Sequence, residues 1–344
     1  MSRIYVHGVG AVSPAGWGAG QLRAALDKNV PLPHQNITRP GREEPLRELI
    51  VPPPPSRPEF FTHARLRRAT ALAQHSVGAA LEAIGDDDAR IQSGAMRLGI
   101  VTGVLCGSVN YSRRFFEEVL REPATASPLI FPETVFNSPA SHLGAFLKSN
   151  DVNYTIVGDD GIFLQGVALA AQWLVDKRID ACVVVGMDEN EWITAEAIKL
   201  FHRDIIHSAG AGALYLKTES AGAMAELAAI TDAHSYTCKQ PRREAAKKMR
   251  AELPMVSRNE LLCDGANGIS RLDAAENLVW KDWPGDRVSP KKILGEAFVA
   301  SAAWQCVAAC GAVAGGDHSA ANVSIVGPNQ QAIGARFVKP PPPL

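Results

Sequence analysis

The side chains best suited to chemistry gather at one abrupt junction. Residues 154–166 read YTIVGDDGIFLQG. Tyr154 to Val157 form a β-branched run of the kind that makes a buried strand, and from Gly161 small and apolar residues continue to Trp173 as a helix does. A strand that turns sharply into a helix exposes one side chain among free amide N–H groups that favour negative charge, which suits a nucleophile. Gly158 stands at that place, followed by Asp159 and Asp160. Aspartates here are expected to cap the helix that starts at Gly161, accepting the amides of its first turn.

Thiols are the other candidates. The six cysteines, at 106, 182, 238, 263, 306 and 310, include no CxxC pair and no Cys/His cluster of zinc spacing. Cys182 in ACVVVG, and Cys306 with Cys310 in AAWQCVAACGAV, lie in apolar runs where a free thiol behaves as a small core residue. Cys263, at a strand end beside Asp264, is the one cysteine placed to act as a replacement nucleophile, and His7, His142 and His318 stay open as its base. Cys106 follows a glycine turn and reads as a packing residue. Ser141 and His142 are neighbours on a helix, so they point about 100° apart and form no dyad by themselves.

The elements that must position these groups alternate along the chain. RIYVHGV, LGIVTGV, YTIV and DACVVVG are short β-branched runs, and TALAQHSVGAALEAI and GVALAAQWLVDK between them are alanine-rich and helical. Strands without polar alternation, separated by helices, make a sheet covered on both faces. The same grammar returns beyond residue 220. There AGAMAELAAITDA ends as a strand, EAAKKMRAEL is a helix and NELLCDG runs from strand into turn. AFVASAAWQCVAACGAVAG is a long helix of small residues, and ANVSIVG with IGARFV closes as a strand pair. Two such halves, each too apolar to stand exposed, amount to a duplicated α/β unit stacked on itself. Residues 31–60, ending in VPPPPSRPEF, are proline-rich and are expected to make a surface excursion rather than an element, as is the KPPPPL tail.

With 344 residues, 46% of them apolar, the chain can bury a large core. A net charge of −1 exerts no chain-wide pull toward nucleic acid or an anionic membrane. The basic clusters at 65–68 and 242–250 are local and read first as solvated helix faces. No uninterrupted apolar run reaches the length of about 18 residues that a membrane helix needs, and the first residues lead straight into a strand. Neither a span nor a secretory signal is expected, and the expected compartment is the cytoplasm.

The motifs fall in an order that resembles the β-ketoacyl synthases of the thiolase superfamily over nearly the whole chain. GVGAVSPAG resembles their first strand and loop, and LGIVTGVLCGS the strand ending in a GTG turn. SPLIFPETVFNSPASHLGAFL is similar to the segment leading into the active-site helix, and YTIVGDDGIFLQGVALAAQWL falls where they carry TACASG. DACVVVGMDE, SAGAGALYL and VSIVGPNQ resemble their Gly-Gly-x-Glu, GEGA and GFGGTN segments. The resemblance implies a thiolase-like α/β fold of five layers, αβαβα, with an N-terminal half over residues 1–218 and a C-terminal half over 219–344.

It also implies a mechanism. Such enzymes take an acyl group from a carrier protein onto a cysteine, and two histidines assist decarboxylation and stabilise the oxyanion. Aligning Gly161 and Gly166 with the motif glycines puts Gly158 at the cysteine. NELLCDGANGISRLDAAE resembles the strand and AHGT turn, which puts Asp264 at the first histidine, Gly265 beside it and Ala266 at the threonine. SPKKILGEAFVASAAW resembles the lysine and Gly-His segment, so that Lys291 and Gly295 fit and Glu296 replaces the second histidine. No histidine occurs between His234 and His318, the stretch that has to hold both. The acidic residue of the GEGA strand appears as Ala209, and the last-loop phenylalanine as Ile325 or a neighbour.

With thiolate and imidazoles gone, ordinary condensation is not expected, since a carboxylate repels a developing oxyanion. The resemblance then implies a non-catalytic subunit similar to a chain-length factor of polyketide, polyene or fatty acid synthesis, needing no cofactor and no metal. Its partners would be an active ketosynthase or a second copy of itself, through the strand Val152 to Val157, and an acyl carrier protein; nucleic acid and membrane are not expected. Arg65, Arg67 and Arg68 offer that carrier a basic patch, or else form the wet side of a helix. As an alternative, Asp159, Asp160, Asp264 and Glu296 would crowd together and raise one pKa for hydrolysis or decarboxylation of an acyl thioester, or attract a cation such as Mg²⁺ or Ca²⁺. Asp264 and Glu296 would equally be tied to Lys291, or to a nest of backbone amides in a site that no longer turns over. A protein that holds an acyl-carrier or coenzyme A ester without changing it is the third possibility.

Overall fold

The computed structural model describes residues 3–237, 241–255 and 257–341, so Cys238 and the end of the proline tail lie outside the described residues. In chain order the first half holds β1 (Ile4–Ser13), the short β2 (Gly16–Trp17), α1 (Ala19–Lys28), β3 (Gln35–Arg39), β4 (Arg42–Leu49), α2 (Ala71–Ile84), α3 (Asp88–Gln92) and β5 (Leu98–Val104). It continues through α4 (Val109–Arg121), α5 (Ser138–Leu147), β6 (Asn153–Val157), α6 (Ile162–Val175), β7 (Ala181–Asp188), α7 (Trp192–Phe201), β8 (His207–Ser208) and β9 (Gly210–Lys217). The second half holds β10 (Ala225–Ile230), β11 (His234–Ser235), α8 (Arg242–Glu252), β12 (Glu260–Cys263) and α9 (Ser270–Val279). It closes with β13 (Asp286–Val288), α10 (Pro290–Leu294), α11 (Val299–Ala314), β14 (Ala320–Val326) and β15 (Gln331–Val338).

The strand order shows the duplication. Along one path the first half runs β6-β5-β7-β9-β1 and the second β13-β12-β14-β15-β10. In the first, β6–β5 and β5–β7 are parallel and β7–β9 and β9–β1 antiparallel; in the second, β13–β12 and β12–β14 are parallel and β14–β15 and β15–β10 antiparallel. The two five-strand units meet where β1 pairs antiparallel with β10, Ile4 opposite Leu227 and Val6 opposite Ala225.

Helices α2 and α5 cover the outer face of the first unit, α8 and α9 that of the second, and α6 and α11 fill the space between. These are five layers, α-β-α-β-α, as expected. The middle layer is dry because α11 is apolar nearly all round, as a helix buried on every side must be. Its approach is close enough to demand glycine on the strands below it. A Cβ at Gly186 would meet the Val299 carbonyl oxygen at 2.5 Å, and one at Gly212 would meet Ala303 Cβ at 2.7 Å.

Residues 31–60 depart from expectation. Gln35–Arg39 and Arg42–Leu49 form a hairpin, β4 adding β8 as a third strand in parallel, with Glu48 opposite His207. Pro40-Gly41 is its turn, Gly41 taking φ +70°. Pro45 lies where the β3–β4 register shifts, beyond the reach of β8, so its missing N–H breaks no ladder bond.

Candidate functional site

The turn after β6 is closed over. Gly158 is buried, its amide donates to the Val104 carbonyl at 3.2 Å, and a Cβ there would meet Ile162 Cγ2 at 2.6 Å and Gln330 Oε1 at 3.2 Å. Asp159 does not cap the helix as expected: Gly161 is the N-cap of α6 and no side chain caps it, while Asp159 Oδ1 accepts from the Gly161 amide itself at 3.3 Å and from Gln331 Nε2 at 3.2 Å. Its Oδ2 accepts from the Gln330 amide at 2.9 Å, which fastens the last loop over the turn. Burial, and then the charge of Asp160, hold the Asp159 carboxyl above the usual range.

Asp160 does something else. Its Oδ2 accepts from Lys291 Nζ, and Lys291 also donates to Glu296 Oε2 at 2.8 Å. All three side chains are buried. Burial lowers the Lys291 pKa, but the two carboxylates outweigh it and the net direction is upward. Glu296 is raised, by burial first and by Asp160, although Lys291, the Phe298 amide at 2.9 Å and Asn267 Nδ2 at 3.2 Å all donate to it. An ammonium thus answers the carboxylates that would otherwise ask for a cation. Among the described residues no three His, Cys, Asp or Glu side chains are placed to hold a metal ion.

Asp264 leaves this group. Its Oδ1 accepts from the Ala266 amide at 2.9 Å and its Oδ2 from Arg287 Nε, so the turn is pinned from within. Behind it Glu276 accepts from the Gly265 amide at 3.1 Å and from the Ser324 hydroxyl. Burial and the charge of Asp264 push the Glu276 carboxyl up to about 7. The expected crowd of four carboxylates is therefore divided: Asp160 and Glu296 share Lys291, Asp159 bonds the last loop, and Asp264 pairs with Arg287. Asp188, at the end of β7, was not anticipated. It accepts from the Leu105 and Cys106 amides at 3.2 Å and the Val299 amide at 3.1 Å, joining three segments, and burial raises its pKa well above the ordinary value.

Beside this core opens a cavity of about 680 Å³. Lys291, Glu296, Asn267, Gly265 and Phe298 form its deep end. Leu105, Val109, Ile193, Ala197, Ile198 and Phe201 give one apolar wall, mostly from α7. Arg242, Arg271 and His202 surround the opening, with Pro328 and Asn329 of the last loop. Neither arginine makes an ion pair among the described residues. Burial, then Arg271 and Arg242, lower the His202 pKa. Gly158 does not line this cavity, and Ile162 and Gln330 pack against that glycine; Phe163 and Ile325 are packed in the core.

Among the described residues no thiol is prepared to attack. Cys263 is wholly buried, and burial with the neighbouring Asp264 raises its pKa far above the ordinary thiol. Cys106 is not simple packing: it lines the cavity, where burial and the charges of Asp188 and Glu189 push it up to about 12. Cys182, Cys306 and Cys310 are core, as expected. His142 bonds Glu133 at 2.9 Å, and His318 bonds Asp286 at 3.1 Å. His7 bonds the Glu219 carbonyl at 2.7 Å.

Two residues at the deep end escaped sequence reasoning. His207 lies before the stretch searched for imidazoles, yet β8 brings it beside Glu296: the Ser208 amide donates to the Glu296 carbonyl and the Glu296 amide to the Ile206 carbonyl, both at 2.9 Å. Phe298 begins α11 with φ +45° and ψ −110°, a conformation that costs a non-glycine residue on the order of 1–3 kcal/mol. Only a residue's side-chain type is visible in a sequence, so neither the strain nor the pairing carried a signal.

No protein-family model and no curated protein matches the chain. Solved structures do. "The ishigamide ketosynthase/chain length factor" is similar at 16% identity and TM-score 0.79, covering 98% of this chain and 99% of that one. A β-ketoacyl synthase from Burkholderia phymatum is similar at 14% identity and TM-score 0.79, covering 98% and 100%. A type II polyketide ketosynthase in complex with its acyl-carrier protein, bound to a hexaketide, is similar at 13% identity and TM-score 0.78, covering 98% and 99%. The thiolase-like architecture read from the sequence is the fold these ketosynthase structures share.

Proposed function

We propose that the chain is a non-catalytic, ketosynthase-like subunit similar to a chain-length factor of fatty acid, polyketide or polyene synthesis, with halves that divide near residue 218. One observation carries this. The three positions that would hold thiolate and imidazoles are occupied by a glycine sealed under Ile162 and Gln330, an aspartate spent on Arg287, and a glutamate spent on Lys291.

The surface supports a partner of the same fold. Strand β6 is the edge of the sheet, with Tyr154 and Val157 exposed. An edge strand with unpaired backbone and apolar side chains is a template for another strand. None of the residues of α4 is buried, and its Phe116 and Leu120 face out along with Leu129, Phe131, Val135 and Phe136. An apolar expanse of that kind belongs in an interface. Arg65, Arg67 and Arg68 stand on a short turn before α2 without an ion pair among the described residues, where an acidic carrier protein would find them. No helix among the described residues is long and apolar enough to cross a membrane.

The test is co-purification with an intact ketosynthase and carrier protein from the same source. A stable mixed dimer, in which Val157→Lys breaks pairing, supports the subunit role; a homodimer that hydrolyses acyl thioesters and loses this on Glu296→Gln overturns it. A second reading, that the chain itself holds an acyl chain, is favoured by the cavity with apolar wall, polar floor and cationic opening.

A further inference from the structure

We propose that Phe298 is a gate between the cavity and His207, and that the cavity takes an acyl chain bearing a keto or hydroxyl oxygen, which His207 bonds once the ring has moved. This rests on the reading that the cavity holds an acyl chain.

His207 is 2% exposed, and neither of its ring nitrogens has a hydrogen-bond partner among the described residues. Buried polar groups are nearly always paired, and an orphaned one marks a place where something supplies the partner. Its neighbours do not. Glu48, opposite it in the β4–β8 register, makes no hydrogen bond to it and has an unpartnered oxygen of its own. The Phe298 ring lies 5.8 Å from the imidazole, centroid to centroid, and the same ring lines the buried end of the cavity. One aromatic side chain therefore separates an unsatisfied imidazole from the ligand space.

That side chain sits on the backbone position least content to stay. Phe298 holds φ +45°, a region L side chains rarely adopt, and its amide is tied by a single bond to Glu296 Oε1. Swinging its ring aside brings His207 into contact with the cavity. The imidazole is then matched to a particular chemistry. Burial holds its pKa down at about 4, so at neutral pH it carries one N–H and one lone pair. A ketone accepts the first and a hydroxyl serves either; a saturated chain offers neither, and a carboxylate would pay for burial without a cation.

The experiment uses the full chain and four probes, the decanoyl thioester of N-acetylcysteamine and its 5-, 7- and 9-oxo forms, titrated calorimetrically. At least one oxo form is expected to bind about tenfold more tightly than decanoyl, the worth of a buried hydrogen bond, and in His207→Leu the advantage should fall below about twofold. Equal affinity of all four, with decanoyl binding well, overturns the proposal and leaves the acyl-chain reading standing; failure of all four to bind overturns both. Independently of any folding defect in His207→Leu, diethylpyrocarbonate followed by peptide mass mapping should leave His207 unmodified in the wild type and modify it in Phe298→Gly, a residue suited to this backbone. Equal protection in the two proteins refutes the gate.

Discussion

Replacing Lys291 with methionine leaves two carboxylates, Asp160 and Glu296, facing each other without a cation in a site where all three side chains are at most 4% exposed. Removing one partner of a buried ion pair costs about 3–5 kcal/mol, because the penalty is the stranded charge and not only the lost attraction. Here the stranded charges can escape by protonation. In Lys291→Met the Glu296 carboxyl, already held above its usual range by burial and by Asp160, loses its cation and is pushed further up, so its protonated form belongs to the folded state. Stability from a raised pKa is present below the unfolded pKa and lost as pH rises through the folded one. The variant should therefore differ least from wild type near pH 5 and most near pH 8. Urea denaturation at several pH values measures this, and Asp160→Asn with Glu296→Gln on the Lys291→Met background should recover most of the loss at pH 8. A penalty under about 1 kcal/mol at pH 8, or one independent of pH, refutes the charged-triad account.

Glu276, raised to about 7 by burial and Asp264, has the same sign: its contribution is full at acid pH and fades as pH climbs toward 7, by about 3 kcal/mol for a shift of this size. Glu276→Gln should flatten the wild-type decline in denaturation free energy between pH 5 and 8, and an unchanged slope would exclude this group as its source. Gly158→Cys should lose about 1–3 kcal/mol of stability by overpacking against Ile162. The introduced thiol should resist iodoacetamide and accept no acyl group, and rapid labelling would show the turn to be open. Tyr154→Lys, on the exposed edge strand, should leave the melting temperature within a few degrees while dissociating whatever dimer size-exclusion with light scattering detects.

The sequence made the strands legible because runs such as ACVVVG and LGIV carry their burial in their composition, and the repeat of strand order followed from the same runs appearing twice. The hairpin at 35–49 was hidden by its prolines, which dominate the segment's composition although Pro40-Gly41 and the register shift at Pro45 make them compatible with pairing. The positions Gly158, Asp264 and Glu296 came from the resemblance to the ketosynthase motifs, yet their partners did not, since Asp160 and Lys291 lie 131 residues apart and meet only between the two five-strand units. What the coordinates add is that the two carboxylates, Asp264 and Glu296, are each paired with a cation where they stand. A carboxylate left free beside the cavity would be a general base in waiting; one held by Lys291, Asn267 and a backbone amide cannot reach for a proton without breaking several bonds at once. On the reading proposed above, in which thiolate and imidazoles are replaced, charge pairing of this kind is the pattern expected where folding has been retained for shape and not for turnover. The remaining imidazole, set behind a strained phenylalanine, then has recognition as its available work.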